Sequence, residues 1–499
     1  MSYNRTYFIT GALLLAMAFN SCTEPTKPIN VKVYQSDQGG NKLANVPLKS
    51  VEKTSAEFTL DANQTFQTIE GFGGAFTESS AYLLNQVSEK NRKEIIQSYF
   101  GDEGARYSLC RTHINSSDFS LGHYAYDTIP GDTTLSSFSL REDEDDVIPF
   151  IQEAQEVSRN GFKIIASPWT APPWMKDNDH WHGGKLKKEY YGTWAKYFSL
   201  YANEMEKRDI PIWAFTFENE PLGNNANWES MHYTPQEMMD FVKNHLHPTL
   251  KANQQDIHLL MYDQNKGKEL DEWAEVYLQD PEFEPYFYGT AVHWYNSTFS
   301  FFPESLEKTH ALNPQKPIIQ TEACIDAEKP VWKNDAKYWT KYATDWGYDW
   351  AKEEEKYLHP KYAPVHRLAG DIIGSLNHWV TGWVDWNLVL DTMGGPNHAK
   401  NWCTAPVIVN PETDEVYYTP LYYIMSHFSR FIVPGAQRID LKGSHHALQT
   451  VAVKNPDNSV VMVIFNPSEQ DLSYAVYHNG TRTTNTISSQ AIQTLVFNP

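Results

Sequence analysis

Two short stretches place carboxylates where chemistry could be done. Ile212 to Pro221 reads IWAFTFENEP, and Lys316 to Cys324 reads KPIIQTEAC. Each begins as an apolar, β-branched run, the composition of a buried strand. The first stops at Glu218, Asn219 and Glu220, and Pro221 bars the strand from continuing. The second stops at Glu322. Carboxylates at buried strand ends are costly to desolvate unless they are used; the plainer alternative is a strand-end turn whose acids are solvated. Two opposed carboxyls about 5 Å apart would suit cleavage of a glycosidic bond with retention. One protonates the leaving oxygen while the other attacks the anomeric carbon from the opposite side.

The elements that must hold these glutamates are legible as a series. Strand-like stretches begin at Ile69 (IEGFGGAF), Tyr107 (ending at Arg111), Gly161 (broken at Pro168), Ile212, Ile257 (ending at Tyr262), Phe287, Lys316 and Val380. Helix-like stretches separate most of them, among them Thr77 to Phe100, Val147 to Val157 and Glu189 to Lys207. The acidic run 141–146 reads as the opening of the second of these, where acids suit the helix dipole. Eight strands ending in polar or aromatic residues predict a (β/α)8 barrel with its site at the C-terminal strand ends. Glu220 then ends the fourth strand and Glu322 the seventh. After Ile432 the pattern changes to short alternating strands (VAVKN, SVVMVIFNP, LSYAVYHN, AIQTLVFNP), which predict a side β-sandwich. Residues 31–67 read as strands with no barrel role and are expected to join it. The domain reading is a barrel over 68–432, with sandwich strands at 31–67 and 433–499.

Residues 1–21 read as a leader: Arg5, then the apolar run YFITGALLLAMAF, too short to span a membrane. Ser21-Cys22 and the polar tether over 22–30 resemble a bacterial lipoprotein signal, with Cys22 the lipidated residue, although Phe19 stands where Leu is commonest. Ordinary secretion is the alternative. The expected location is the periplasmic or outer face of an outer membrane, with membrane contact only through the lipid. Cys110, Cys324 and Cys403 then remain, an odd number that reads as buried free thiols. No run has metal-ligand spacing and none has the form of a phosphate or dinucleotide loop, so no cofactor is expected. A net charge of −21 over 499 residues argues against nucleic acid, anionic membrane surfaces and strongly anionic polymers as partners. Aromatic residues make up 14% of the chain, with 16 Trp; some of these flat faces suit the C–H faces of sugars.

The chain resembles glycoside hydrolase family 30. The motifs that carry the resemblance are FQTIEGFGGAFTE from Phe66, YSLCRTHINSSDFS from Tyr107, SPWTAPPWMK from Ser167, TFENEP from Thr216, VHWY from Val292, TEAC from Thr321, GWVDWNLVLDTMGGPNHAKNW from Gly382 and SHFSRFIVPGAQRI from Ser426. The resemblance implies a barrel with a sandwich built from both chain ends, Glu220 as acid/base and Glu322 as nucleophile. It further implies that Asn219 binds the 2-hydroxyl of the reacting sugar. Asp118 and Trp169 would bind its outer hydroxyls, and Trp386 would stack on or line that pocket. His293 and Tyr295 would flank the nucleophile, Arg111 would stabilise its carboxylate, and Asn401 would sit at the rim. Glu218 is the rival for the acid, His293 could be a core histidine, and Trp174 is expected to pack rather than bind sugar. The substrate expected is a β-glucan, cut internally at β-1,6 bonds. An exo-acting β-glucosidase or glucosylceramidase is the alternative, and a non-catalytic glycan-binding surface protein a more remote one.

Overall fold

The computed structural model describes residues 1–3, 30–223, 227–326, 329–343 and 352–498. Residues 4–29, which hold Cys22 and all but the first three residues of the leader, lie outside the described residues. Eight strands close into the expected parallel barrel. In chain order they are β1 (Gly71–Phe76), β2 (Leu109–Ile114), β3 (Lys163–Pro168), β4 (Ala214–Thr216), β5 (His258–Asn265), β6 (Gly289–His293), β7 (Ile318–Glu322) and β8 (Val380–Asn387). The ring closes where β8 pairs with β1.

Alternation along these strands builds two cores. Leu109, Ile165, Ala214, Leu260, Ala291, Ile319 and Val384 fill the barrel interior. Their chain neighbours Cys110, Ile164, Phe215, Leu259, Val292, Ile318 and Trp383 point the other way, into the core under the helices. Burial on both faces is why the stretches read as continuous apolar runs.

The strand ends depart from regular pairing. Register shifts fall between Tyr262 and Gln264 on β5, between Gln320 and Glu322 on β7, and between Val384 and Asn387 on β8. Such irregularities re-aim the side chains beyond them. The strand that leads to Glu220 is short, only Ala214–Thr216, so Glu220 stands on the turn past it. The helix expected over Thr77 to Phe100 is two, Glu78–Gln86 and Glu89–Phe100. Ser88 starts the second by accepting from Asn91 N–H, and a side-chain cap of this kind favours a fresh start over continuation. The acidic run precedes the helix Val147–Val157, as read from the sequence, with Arg141–Asp143 a separate turn and Asp146 at the N-cap.

Strands from both chain ends make the side domain. In spatial order they are Ala44–Val46, Val31–Asp37, Ala491–Phe497, Val460–Asn466, Gln449–Lys454, Gln437–Lys442, Ala56–Thr68, Leu472–His478 and Thr481–Ile487. Val460–Asn466 shows how this sheet seats on the barrel. Val460, Met462 and Ile464 enter the sandwich core with Phe58, Tyr474 and Leu495. Val461, Val463 and Phe465 face the opposite way and belong to the barrel's helical core. A strand that is apolar on both faces thus welds the two domains.

Candidate active site

The site is assembled around one buried cation. Arg111, on β2, is fully buried, and a guanidinium there needs compensating partners. Its Nε donates to Ser167 Oγ at 3.0 Å, and its Nη2 donates to Asn219 Oδ1 at 3.0 Å and to Asp263 Oδ2 at 2.7 Å. Its Nη1 donates to Glu322 Oε2. The guanidinium carbon stands 4.8 Å from the ring centre of Trp169 and 5.6 Å from that of Trp386. One side chain therefore ties the ends of β2, β3, β4, β5 and β7 together.

Asp263 is the second node, and the sequence reading passed over it because it ended that strand at Tyr262. The strand runs on through Asp263, which adopts a left-handed φ of 60°. Its carboxylate accepts from Thr216 Oγ1 at 2.7 Å and Thr321 Oγ1 at 2.6 Å, besides Arg111. Burial would raise it, but Arg111 and His293 hold it well below the usual carboxylate range. The signal present in the sequence is the polar run Asp263-Gln264-Asn265 closing an apolar strand, the same signal that marks Glu220 and Glu322.

His293 ends β6 between two carboxylates. Its Nε2 lies 3.0 Å from Asp263 Oδ1 and its Nδ1 3.3 Å from Glu220 Oε1. Burial pushes the imidazole down, but Glu322 and Asp263 outweigh it and raise it to about 9. It is buried, yet it is part of the site and not an inert core histidine.

Glu220 has a left-handed φ of 52°. Such a conformation is uncommon for a residue with a side chain and is held here by its surroundings: Glu220 N–H donates to Asp263 O at 3.0 Å and Gly223 N–H to Glu220 O at 2.9 Å. Glu322 accepts from Tyr295 Oη at 2.8 Å. Burial raises the Glu322 carboxyl, while His293, Arg111 and the Tyr295 hydroxyl oppose that shift. Oxygens of Glu220 and Glu322 and a nitrogen of His293 all lie within 4.8 Å of one another. Glu218 is fully buried and burial raises it well above the usual range; it does not join this group.

The remaining residues gather around Arg111 and where the loops after β2 and β8 meet. Asn401 Nδ2 donates to Asp118 Oδ2 at 3.0 Å, joining the loops after β8 and β2. Burial, then the charge of Glu322, pushes Asp118 up to about 8 against that bond. Trp169 and Trp386 stack on each other at 5.0 Å and 21° and are each 1% exposed. Their faces are taken up by one another and by Arg111, so they line the site and offer no open platform. Trp174 donates to Asp127 O at 3.1 Å and packs, as expected. Cys110, Cys324 and Cys403 are free and buried, and burial raises each thiol, which disfavours the reactive thiolate. Cys324 Sγ and Cys403 Sγ lie 3.0 Å apart.

A (β/α)8 barrel whose fourth and seventh strands lead to two facing glutamates defines a glycoside hydrolase. The chain belongs to glycosyl hydrolase family 30: the model of the family's TIM-barrel domain matches residues 69–432 and that of its beta sandwich domain residues 435–495. Mouse lysosomal acid glucosylceramidase is 35% identical over 456 residues, 89% of this chain and 84% of that protein. The crystal structure of SrfJ from Salmonella typhimurium superposes with a TM-score of 0.83 at 28% identity, over 94% of this chain and 99% of that one. The endo-beta1,6-glucanase BT3312 superposes with a TM-score of 0.79 at 26% identity, over 94% and 100%.

Proposed function

We propose that this glycosidase cleaves β-glucosidic bonds with retention, through a covalent glucosyl intermediate on Glu322. The observation that carries this reading is the approach of the Glu220 and Glu322 carboxylates to within 4.8 Å. Inverting enzymes keep their carboxyls about 6.5–9.5 Å apart to admit a water, whereas about 5 Å permits direct attack. Arg111 and Tyr295 aim Glu322 and stabilise its anion. Protonated Glu220 donates to the leaving oxygen. When the glucosyl-enzyme forms, the negative charge of Glu322 disappears, and Glu220, having given up its proton to the leaving oxygen, becomes the base that activates water. Asn219 is fixed by Arg111 to meet the 2-hydroxyl, and Asp118, with Trp169 and Asn401, to meet the outer hydroxyls. Glu322→Gln is expected to lower turnover by several orders of magnitude with the fold intact; near-normal activity would sink the assignment.

For the substrate we infer an exo-acting β-glucosidase of the glucosylceramidase kind. Its support is the 35% identity to the mouse glucosylceramidase against 26% to the endo-glucanase. A second support is that the loops after β2 and β8 are joined beside Asp118. His398 donates both its backbone N–H and Nδ1–H to Ser120 O at 2.9 Å, alongside the Asn401–Asp118 bond. Such a junction suits a pocket for one terminal sugar better than an open groove. Endo-cleavage of β-1,6-glucan, the reading from sequence alone, is the second reading, favoured by the likeness to BT3312 over that chain's full length. Products from β-1,6-glucan, glucosylceramide and an aryl β-glucoside, followed over time with the anomer identified by NMR, separate these. Glucose released first as the β-anomer supports the proposal. Early mixed oligosaccharides from β-1,6-glucan would move the protein to the second reading, and first-formed α-anomer would overturn retention. On the leader sequence we also propose export with a lipid on Cys22; a Cys22→Ser chain that still incorporates labelled fatty acid would refute it.

A further inference from the structure

Outside the glutamate pair, three loops at the C-terminal end of the barrel bring together His123 (after β2), Glu229 (after β4) and His398 (after β8). A nitrogen of each histidine and an oxygen of Glu229 lie within 4.8 Å of one another. The Glu229 side chain is fully buried, and those of His123 and His398 are 30% and 13% exposed. His123 Nδ1 is 2.7 Å from Glu229 Oε1, and Ser116 Oγ donates to that same oxygen. His398 Nε2 is 3.2 Å from Glu229 Oε2, yet both atoms lack a hydrogen-bond partner, and so does the buried Nε2 of His182. The His182 ring stands 5.3 Å from that of His123.

The tautomer of His398 gives this arrangement its meaning. Its Nδ1–H is committed to the carbonyl of Ser120 at 2.9 Å. In the neutral ring Nε2 then carries a lone pair, and that lone pair faces a carboxylate oxygen across 3.2 Å. Two buried acceptors confronting each other require a cation between them or a proton on the ring. A histidine that binds a metal through one nitrogen commonly donates the other N–H to a backbone carbonyl. Donors bound tetrahedrally at about 2.0–2.1 Å stand about 3.3 Å from one another, close to the 3.2 Å between His398 and Glu229; His123 and Glu229, at 2.7 Å, would part slightly to admit an ion.

We propose that His123, Glu229 and His398 hold one divalent transition ion of the zinc class at the rim of the glucoside pocket, with water as the fourth ligand. Two imidazoles and one carboxylate suit zinc, whereas calcium and magnesium take all-oxygen sets. The ion lies off the glutamate pair and has no part in the bond cleavage. It clamps the loop after β8, which carries Asn401, to the loops that carry Asp118 and Glu220. The proposal stands independently of which glucoside is the substrate.

The test is calorimetric titration of zinc chloride into the full-length protein after dialysis against a chelator, with cobalt(II) absorption spectra alongside. The expected result is one equivalent bound, intense visible bands of tetrahedral cobalt, and a higher melting temperature with zinc. Glu229→Gln and His398→Gln should each lower zinc affinity by more than about 100-fold, since even outer-shell changes cost about 10–100-fold. His123→Ala, at a partly exposed position, serves if either variant fails to fold and should do the same. Absence of saturable zinc binding by the unmutated protein, or unchanged affinity in the variants that fold, overturns the proposal. A higher KM for aryl glucoside in these variants without zinc binding would instead make the cluster a sugar contact.

Discussion

Asp263 Oδ1 lies 3.0 Å from His293 Nε2, and the opposite nitrogen of that ring lies 3.3 Å from Glu220 Oε1. With both ring nitrogens directed at carboxylates, the imidazolium is the form that satisfies both.

Asp263→Asn removes one of the two anions and leaves Arg111 and His293 short of charge. Breaking a buried pair in this way costs about 3–5 kcal/mol, so urea unfolding should move to clearly lower denaturant. The imidazole loses a stabilising anion, and the pH profile of its ring-proton NMR signals should shift to lower pH. A variant with unchanged stability and unchanged pH profile would show that Asp263 does not govern His293.

The same ring sets a pH window for stability. Its value is raised from 6.5 to about 9. A group raised in the folded state contributes fully below its unfolded value and loses that contribution as pH rises through the folded value. Stability should therefore fall between pH 6.5 and about 9, by on the order of 3 kcal/mol for a shift of this size. Melting temperatures of the unmutated protein and of His293→Asn, taken across that interval, check this: the slope assigned to the ring should be missing in the variant. Parallel slopes would refute it.

How much of this was legible beforehand follows from what each residue depends on. Glu220 and Glu322 announce themselves because local sequence suffices, an apolar run that stops at an acid. The eight strands were legible for the same reason, since burial on both faces writes itself as an uninterrupted apolar stretch. Asp263 was passed over because the irregular pairing between Tyr262 and Gln264 carries the strand beyond its apolar part. The loss of an open sugar platform on Trp386 could not be read either, because it depends on Trp169 stacking from another strand. His123, Glu229 and His398 come from three separate loops, so no local spacing exists to mark them, and only barrel closure brings them together.

Tyr295 donates a 2.8 Å hydrogen bond to Glu322, and that bond re-forms on the carboxylate as it leaves the sugar in the second displacement. Hydrogen bonds to charged groups are worth about 1.5–3 kcal/mol, or about 10- to 100-fold in rate. Tyr295→Phe should lower kcat by that factor on an aryl β-glucoside and change KM less. Steady-state kinetics decide the point, and a kcat within twofold of the unmutated enzyme would remove Tyr295 from the account.

Gly73 on β1 tests whether strand spacing sets the site. A Cβ there would stand 2.0 Å from the carbonyl oxygen of Leu109 and 2.9 Å from its carbon, both backbone atoms of β2 that cannot rotate away. Gly73→Ala must therefore push β2 outward, and Arg111 lies two residues along that strand. Overpacking of this kind costs about 1–3 kcal/mol or more, and displacing Arg111 disturbs its contacts with Glu322 and Asn219 in the same movement. The expected outcome is a lower melting temperature together with a loss of kcat/KM in the protein that still folds. Gly192→Ala is the matched control: it sits in the helix Tyr191–Glu206 with open space where its Cβ would go. The helix should gain up to about 1 kcal/mol from that change, with activity unaltered. If Gly73→Ala proves as benign as Gly192→Ala, the contact between β1 and β2 is not what holds Arg111 in place.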